Sequence, residues 1–272
     1  MTIELTVFQG RAGDHNDLAL PAAAALASAY AAELGLAVQV IGTPEPALSA
    51  DWRIELPLAM PALGAMATRI EQIMAAGARP LSAISRCAVA LATLPVIAKH
   101  RPDAVVVWFD SHGDLNTPET TTTGYLGGLA LAGPAGLWQS GLGCGLEVSN
   151  IVLVGVRDLD PAEQALIDSG AVRAVWVGPD MAAELQAAIA GRPVYIHLDC
   201  DVLEPGIVPT DYLHHGGLDL AKLHALCAVM AQSEVVGLEI AELQIAFQPG
   251  GPVVSVAPLM RALAPLLDKM QR

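Results

Sequence analysis

Apolar residues recur along the chain in short blocks, each followed by a polar cluster and then by a longer stretch with helical spacing. The blocks at residues 3–7, 37–41, 81–84, 104–109, 151–156, 172–177, 194–198 and 235–240 are apolar almost throughout. That is the pattern of strands covered on both faces rather than on one. Residues 18–34, 62–76, 87–100, 161–169, 180–190, 218–231 and 254–270 carry helical periodicity between them. Pro21 suits the first turn of the first helix, and Gly77 suits the end of the second. Residues 42–57, with Pro44, Pro46 and Pro57, read as an irregular connection. Strand and helix alternate to the end of the chain. The order predicts a three-layer α/β/α sandwich around an eight-stranded, mainly parallel sheet, with residues 1–272 forming one domain.

Composition sharpens this picture in two respects. Hydrophobic residues make up 53% of the chain and charged residues 15%, which fits a sheet with helices on both faces. The formal charge of −14 excludes nucleic acid and an anionic membrane surface as partners, and is compatible with a small cationic substrate. The alanine-rich stretch 18–32 contains Pro21 and is too short for a membrane span. The first residues have neither the basic region nor the apolar core of a signal peptide. Cys87, Cys144, Cys200 and Cys227 are scattered and read as reduced thiols, so the expected location is the cytoplasm.

In a sheet of this kind the working residues lie just past the carboxyl ends of the strands. Asp110-Ser111-His112-Gly113-Asp114 stands there after one strand, and Asp199-Cys200-Asp201 after another. Oxygen ligands with one imidazole suit Mn²⁺, and Zn²⁺ less well. Clustered carboxylates at neighbouring strand ends repel one another unless a cation lies between them. Either cluster alone is a weak signal; the two together are a strong one.

The run from Trp108 to Asn116, followed by Thr117-Pro118 and the threonines 120–123, resembles the Asp-Ala-His-x-Asp signature of the ureohydrolase family, the arginase, agmatinase and formiminoglutamase group. Leu198-Asp199-Cys200-Asp201 with Val202-Leu203-Glu204-Pro205 resembles its second signature. Gly155-Val156-Arg157-Asp158 and Gly237-Leu238-Glu239-Ile240-Ala241-Glu242 are similar to two flanking segments. The resemblance implies an arginase-like fold, a trimer or hexamer, and hydrolysis of a C–N bond in a linear guanidine or amidine by metal-bound hydroxide. It implies two Mn²⁺ ions about 3.5 Å apart. One would be held by Asp110, His112, Asp199 and Asp201, the other by Asp110, Asp114, Asp199 and a histidine after the third strand. Glu242 would face the guanidinium and Asp114 would carry a proton. Asn116, Asp158 and Asp160 would lie on the substrate side, with Asn116 also bracing the ligand loop.

This chain departs from the pattern in three places. No histidine follows the third strand; Arg86 falls in its place and is expected to substitute for a metal's charge beside Asp114, leaving one ion. Gly127 stands where arginases carry a proton-shuttling histidine, and the rewritten loop 210–217 supplies His214 and His215 as candidate acids or bases. Two rival readings follow from these departures: a single-metal amide or acyl hydrolase of the deacetylase type, and a non-catalytic homologue.

Overall fold

The structure, a computed structural model, describes residues 2–272. Its eight strands are β1 (Ile3–Phe8), β2 (Val38–Ile41), β3 (Arg79–Ala83), β4 (Val105–Phe109), β5 (Ile151–Val154), β6 (Arg173–Val175), β7 (Val194–Asp199) and β8 (Val235–Ala241). They form one sheet in the order β2-β1-β3-β8-β7-β4-β5-β6, with every pairing parallel. Parallel neighbours need a crossover, which the helices supply: α1 (Ala19–Leu34), α2 (Trp52–Ala75), α3 (Ala90–His100), α4 (Pro161–Asp168), α5 (Met181–Ile189), α6 (Leu220–Met230) and α7 (Ala257–Gln271).

Side chains alternate across the sheet and build two cores. Val105, Val107 and Phe109 join Ile196 and Leu198 under α1, α5, α6 and α7. Val106 and Trp108 point the other way, with Tyr195, toward α2, α3 and α4. The four inner strands β3, β8, β7 and β4 are buried at every position, which is why their sequences carry no alternation to read. Among the described residues, no helix is long and apolar enough to cross a membrane.

One element differs from expectation. Helix α2 starts at Trp52, inside the stretch expected to be irregular, and carries both Pro57 and Pro61 in its interior. Asp51 caps it by accepting from Arg53 N at 2.9 Å. Leu56, Ala59, Leu63, Met66, Ile70 and Ile73 form its buried stripe, while the two prolines fall on the exposed side. The hydrogen bonds that proline removes are therefore lost on the face that water reaches.

Candidate metal and substrate site

The polar clusters converge at the carboxyl edge of five adjacent strands. Asp110 follows β4, Asp199 ends β7 and Asp201 sits in the tight turn after it. Glu242 follows β8, Cys87 opens a short turn after β3, and Asp158 lies beyond β5. Asp114 and Glu242 adopt left-handed backbone angles, φ 51° and 59°, which residues with a Cβ rarely do. Both are pinned there: the Asp114 carbonyl accepts from Leu131 N and Ala132 N, and Glu242 N donates to the Ser85 carbonyl.

Asp110 and Asp199 are held at both carboxylate oxygens and Asp201 at one. Asp110 Oδ1 accepts from His112 N at 2.7 Å, and its Oδ2 from Trp108 Nε1 at 3.0 Å. Asp201 Oδ1 accepts from Ser111 N at 3.0 Å, and Asp199 Oδ1 from Asp201 N at 2.7 Å. Asp201 Oδ2 is buried, lies 3.2 Å from His112 Nδ1, and yet has no donor aimed at it. Such an orphaned anionic oxygen beside an imidazole nitrogen is what a cation site requires.

Ligand atoms of Asp110, His112 and Asp201 all lie within 4.8 Å of one another, as do those of Cys87, Asp110 and Asp114. The two groups share Asp110, and their donors, carboxylates with one imidazole and one thiol, fit a divalent cation.

The electrostatics carry the same message. Burial, reinforced by neighbouring carboxylates, pushes the Asp110, Asp114 and Asp199 carboxyls up. Burial acts against charge on His112 too, but Asp110 and Asp201 overcome it and push the imidazole up to about 12. Asp201, which burial alone would raise, ends below its ordinary value because His112 faces it. The cluster demands positive charge.

Cys87 stands where the sequence placed Arg86. Its Sγ donates to Asp199 Oδ2 at 3.1 Å and lies 3.2 Å from His197 Nε2. Burial, then Asp199 and Asp114, hold its thiol well above the ordinary range. His197 is stacked on Trp108 at 3.5 Å and fixed through Nδ1 to Glu239 at 2.7 Å, so a buried Glu239–His197 pair orients the thiol from beneath.

Arg86 does not lie beside Asp114, contrary to the sequence expectation. Its guanidinium binds Glu242, Asp14, Asp211 and the Asn16 carbonyl instead. Arg86 is still extended, φ −137° and ψ 152°, and the short turn starts at Cys87, so the two side chains leave on opposite sides; alternation alone does not say which of the two faces the carboxylates. A cysteine at a strand end beside acidic clusters was the available signal.

The remaining candidates divide. Asn116 Nδ2 donates to Asp160 Oδ2 at 2.7 Å and its Oδ1 accepts from Thr120 Oγ1 at 2.9 Å, so it ties the ligand loop to α4. Asp158, Asp160, Asn116 and Asp114 line one pocket with Glu242. Arg157 forms no pair with Asp158; it donates to the carbonyls of Gly155, Asp201 and His214 and fastens the loops together. His214 stands at the mouth, with Nε2 3.5 Å from Asp158 Oδ2 and its ring 4.9 Å from that of His112. His215 is a correction: it is 85% exposed and pairs with Glu204 on the outer surface, because the turn at Gly216 points it away.

Sequence reasoning also missed Glu163 and Tyr125. Glu163 accepts from Leu115 N and Asp160 N, both at 2.9 Å, and burial pushes its carboxyl up to about 7. A Cβ at Gly113 would meet this carboxyl at 2.8 Å, which accounts for glycine between His112 and Asp114. The ring of Tyr125 lies 2.4 Å from where a Cβ of residue 127 would sit, so Tyr125 fills the space a side chain at Gly127 would need.

An all-parallel α/β/α sheet with an Asp-x-His-x-Asp and an Asp-x-Asp cluster converging at its carboxyl edge defines a class of hydrolases that act on C–N bonds in linear amidines. The arginase family's sequence profile matches residues 49–264, and the chain belongs to that family. It is 40% identical over 266 residues to the N(omega)-hydroxy-L-arginine amidinohydrolase of Streptomyces lavendulae, covering 98% of this chain and 97% of that one. The fold is shared with the arginase of Bacillus subtilis (TM-score 0.80, 20% identity, 99% and 98% of the two chains). It is shared also with the arginase of Bacillus caldovelox (TM-score 0.77, 22% identity, 99% and 97%).

Proposed function

We propose that this protein hydrolyses the guanidine carbon of a linear, amino-acid-like guanidine using two divalent cations, Mn²⁺ in preference to Zn²⁺. Asp110, His112, Asp199 and Asp201 would hold one ion, and Cys87, Asp110, Asp114 and Asp199 the other. The observation that carries this reading is the meeting of two ligand groups on the buried Asp110, with their members Cys87, His112 and Asp114 lining the same pocket as Glu242. Divalent cations held there would supply an activated water and stabilise the charge that develops on attack.

The chain's own residues do the rest. Glu242 takes a donor of the substrate's guanidine, and Asp158 and Asp160 at the far end of the pocket suit an α-amino group. Asp114 accepts the proton released on attack and returns it to the departing nitrogen. His214, hydrogen-bonding distance from Asp158 at the mouth, is placed to exchange protons with solvent. No side chain at residue 127 is needed for this route.

The similarity to an N(omega)-hydroxy-L-arginine amidinohydrolase across 98% of the chain favours a hydroxylated guanidine as substrate. The four unpaired cysteines suit a reducing cytoplasm. Family resemblance favours a trimer or hexamer, which light scattering reads directly.

The decisive experiment supplies Nω-hydroxy-L-arginine to the Mn²⁺-loaded protein and measures ornithine and hydroxyurea, together with metal per chain. Manganese-dependent release of both products is expected. No release from this compound or from L-arginine, with metal bound, overturns the reading.

A further inference from the structure

Glu242, the carboxylate expected to receive the substrate's guanidine, is already engaged by the protein. Its Oε2 accepts from Arg86 Nη1 at 2.8 Å, and its Oε1 accepts from Cys87 N at 2.9 Å and from Tyr125 OH at 3.4 Å. A carboxylate offers about four lone-pair directions, so one remains, on Oε2 beside Arg86. Arg86 is itself immobile. It is fully buried, and besides Glu242 it binds Asp14 at 3.1 Å, Asp211 at 3.3 Å and the Asn16 carbonyl at 3.4 Å. Those partners are anchored in turn: Asp14 accepts from Ala12 N, and Asp211 is held by His15 and Asn16. The guanidinium is thus held directly behind the pocket wall that Glu242, Cys87 and Tyr125 form.

A substrate guanidinium binds a carboxylate best through a fork of two parallel N–H···O bonds, one to each oxygen. Glu242 has no free direction on Oε1 for the second bond, and an incoming cation meets the like charge of Arg86 at the remaining one. An N-hydroxyguanidine differs in both respects. Its N–OH offers a single strong donor, and the electron-withdrawing oxygen makes the group less basic and so less cationic.

We propose that Arg86 is the specificity-determining residue of the site: by occupying Glu242 it selects N-hydroxylated guanidines over unmodified guanidinium compounds. This inference rests on the proposed function and names which guanidines that function admits. The reaction balances with water alone. Water oxygen bonds to the guanidine carbon, the bond from that carbon to the alkyl nitrogen breaks, and the departing amine gains a proton, leaving an alkylamine and hydroxyurea. Arg86 does not touch the reacting atoms; it is a positioning residue that acts through Glu242.

The test compares kcat and KM for Nω-hydroxy-L-arginine and L-arginine in the Mn²⁺-loaded wild type, Arg86→Met, Arg86→Lys and Tyr125→Phe. A charge-assisted hydrogen bond gained or lost corresponds to roughly 10- to 100-fold in binding. Arg86→Met is therefore expected to shrink the preference for the hydroxylated compound by about that factor, chiefly through a lower KM for L-arginine. Arg86→Lys keeps the charge and leaves the preference closer to wild type than the about threefold change expected of Tyr125→Phe. Tyr125→Phe frees one direction on Oε1 without altering charge, and shrinks the preference by about threefold.

An unchanged preference in a folded Arg86→Met protein, or equal loss on both substrates, overturns the proposal. Should Arg86→Met fail to fold, an unchanged preference in Tyr125→Phe overturns it instead. If the wild type cleaves neither compound, it is the proposed function that falls. The role of Arg86 is then decided by calorimetric Kd values for the two ligands, and equal ratios in wild type and variants refute it.

Discussion

On the β4–β7 side of the site, Asp110, His112, Asp114, Asp199 and Asp201 come from two short stretches of chain and leave a surplus of buried negative charge turned inward. On the β3–β8 side, Asp14, Arg86, Asp211 and Glu242 come from four separate segments, and the positive charge is built in. Both sides face the same physical problem, carboxylates withdrawn from water, which charge repulsion and desolvation make unfavourable. One side is made for cations that arrive from solution. The other carries a guanidinium that never leaves. On the proposed function, metal-binding and substrate-selecting duties within one pocket are separated by the source of the neutralising charge.

The sharpest way to break the comparison is at Asp110, which with Asp199 belongs to both proposed ligand sets. Asp110→Asn is expected to lower kcat/KM on the order of 10³-fold or more and to reduce bound Mn²⁺, read by steady-state kinetics and elemental analysis. Retention of two ions per chain would show that Asp110 bridges nothing.

Next is the other side. Arg86→Met leaves Glu242 and Asp14 buried without a counter-charge, which is expected to destabilise the fold by about 3–5 kcal/mol in urea denaturation. A change below about 1 kcal/mol would mean that water or rearrangement replaces the guanidinium readily.

The pH response of stability separates the halves further. Glu163, pushed by burial up to about 7, and the raised carboxyls of Asp110, Asp114 and Asp199 bind protons more tightly folded than unfolded. In chelator, the folded state therefore holds more protons, and stability falls as pH rises from the ordinary carboxylate range toward 7. Glu163 alone contributes on the order of 2 kcal/mol to that fall. With Mn²⁺ present the slope reverses, because protons compete with the metal for the same ligands. Parallel slopes with and without metal would mean that the carboxylates do not bind it.

The smallest effect sharpens the site's boundary. His215→Ala, on the exposed surface, is expected to change kcat/KM by less than about twofold and stability by less than about 0.5 kcal/mol. A tenfold loss would restore His215 to the site.

Legibility in the sequence followed the same division. Asp110 through Asp114 and Asp199 with Asp201 were readable because two-residue spacing past a buried strand places ligands on one edge, and the spacing is local. The fold was readable for a related reason, since eight mainly apolar strands with intervening helices leave few ways to cover both faces. Helix α2 was cut short in the reading because Pro57 and Pro61 are strong local signals against a helix, and only packing shows that both point outward.

Cys87 and Arg86 were exchanged because a single residue of turn geometry decides which of two neighbours faces the ligands. His214 and His215, adjacent and chemically identical, were separable only once the Gly216 turn and the Glu204 pair were seen.

The amino-acid sequence by itself determined the parallel sheet, the edge on which the chemistry sits, the carboxylates that collect there and the family to which the chain belongs. All of these depend on periodicity or on residues a few positions apart. Only the tertiary structure decided that Cys87 lies with Asp110 and Asp114, that Tyr125 takes the space above Gly127, and that Arg86 claims Glu242 from within. Those outcomes depend on side chains brought together from distant segments, where one residue of register or one turn reverses the answer, and no local pattern records which way it falls.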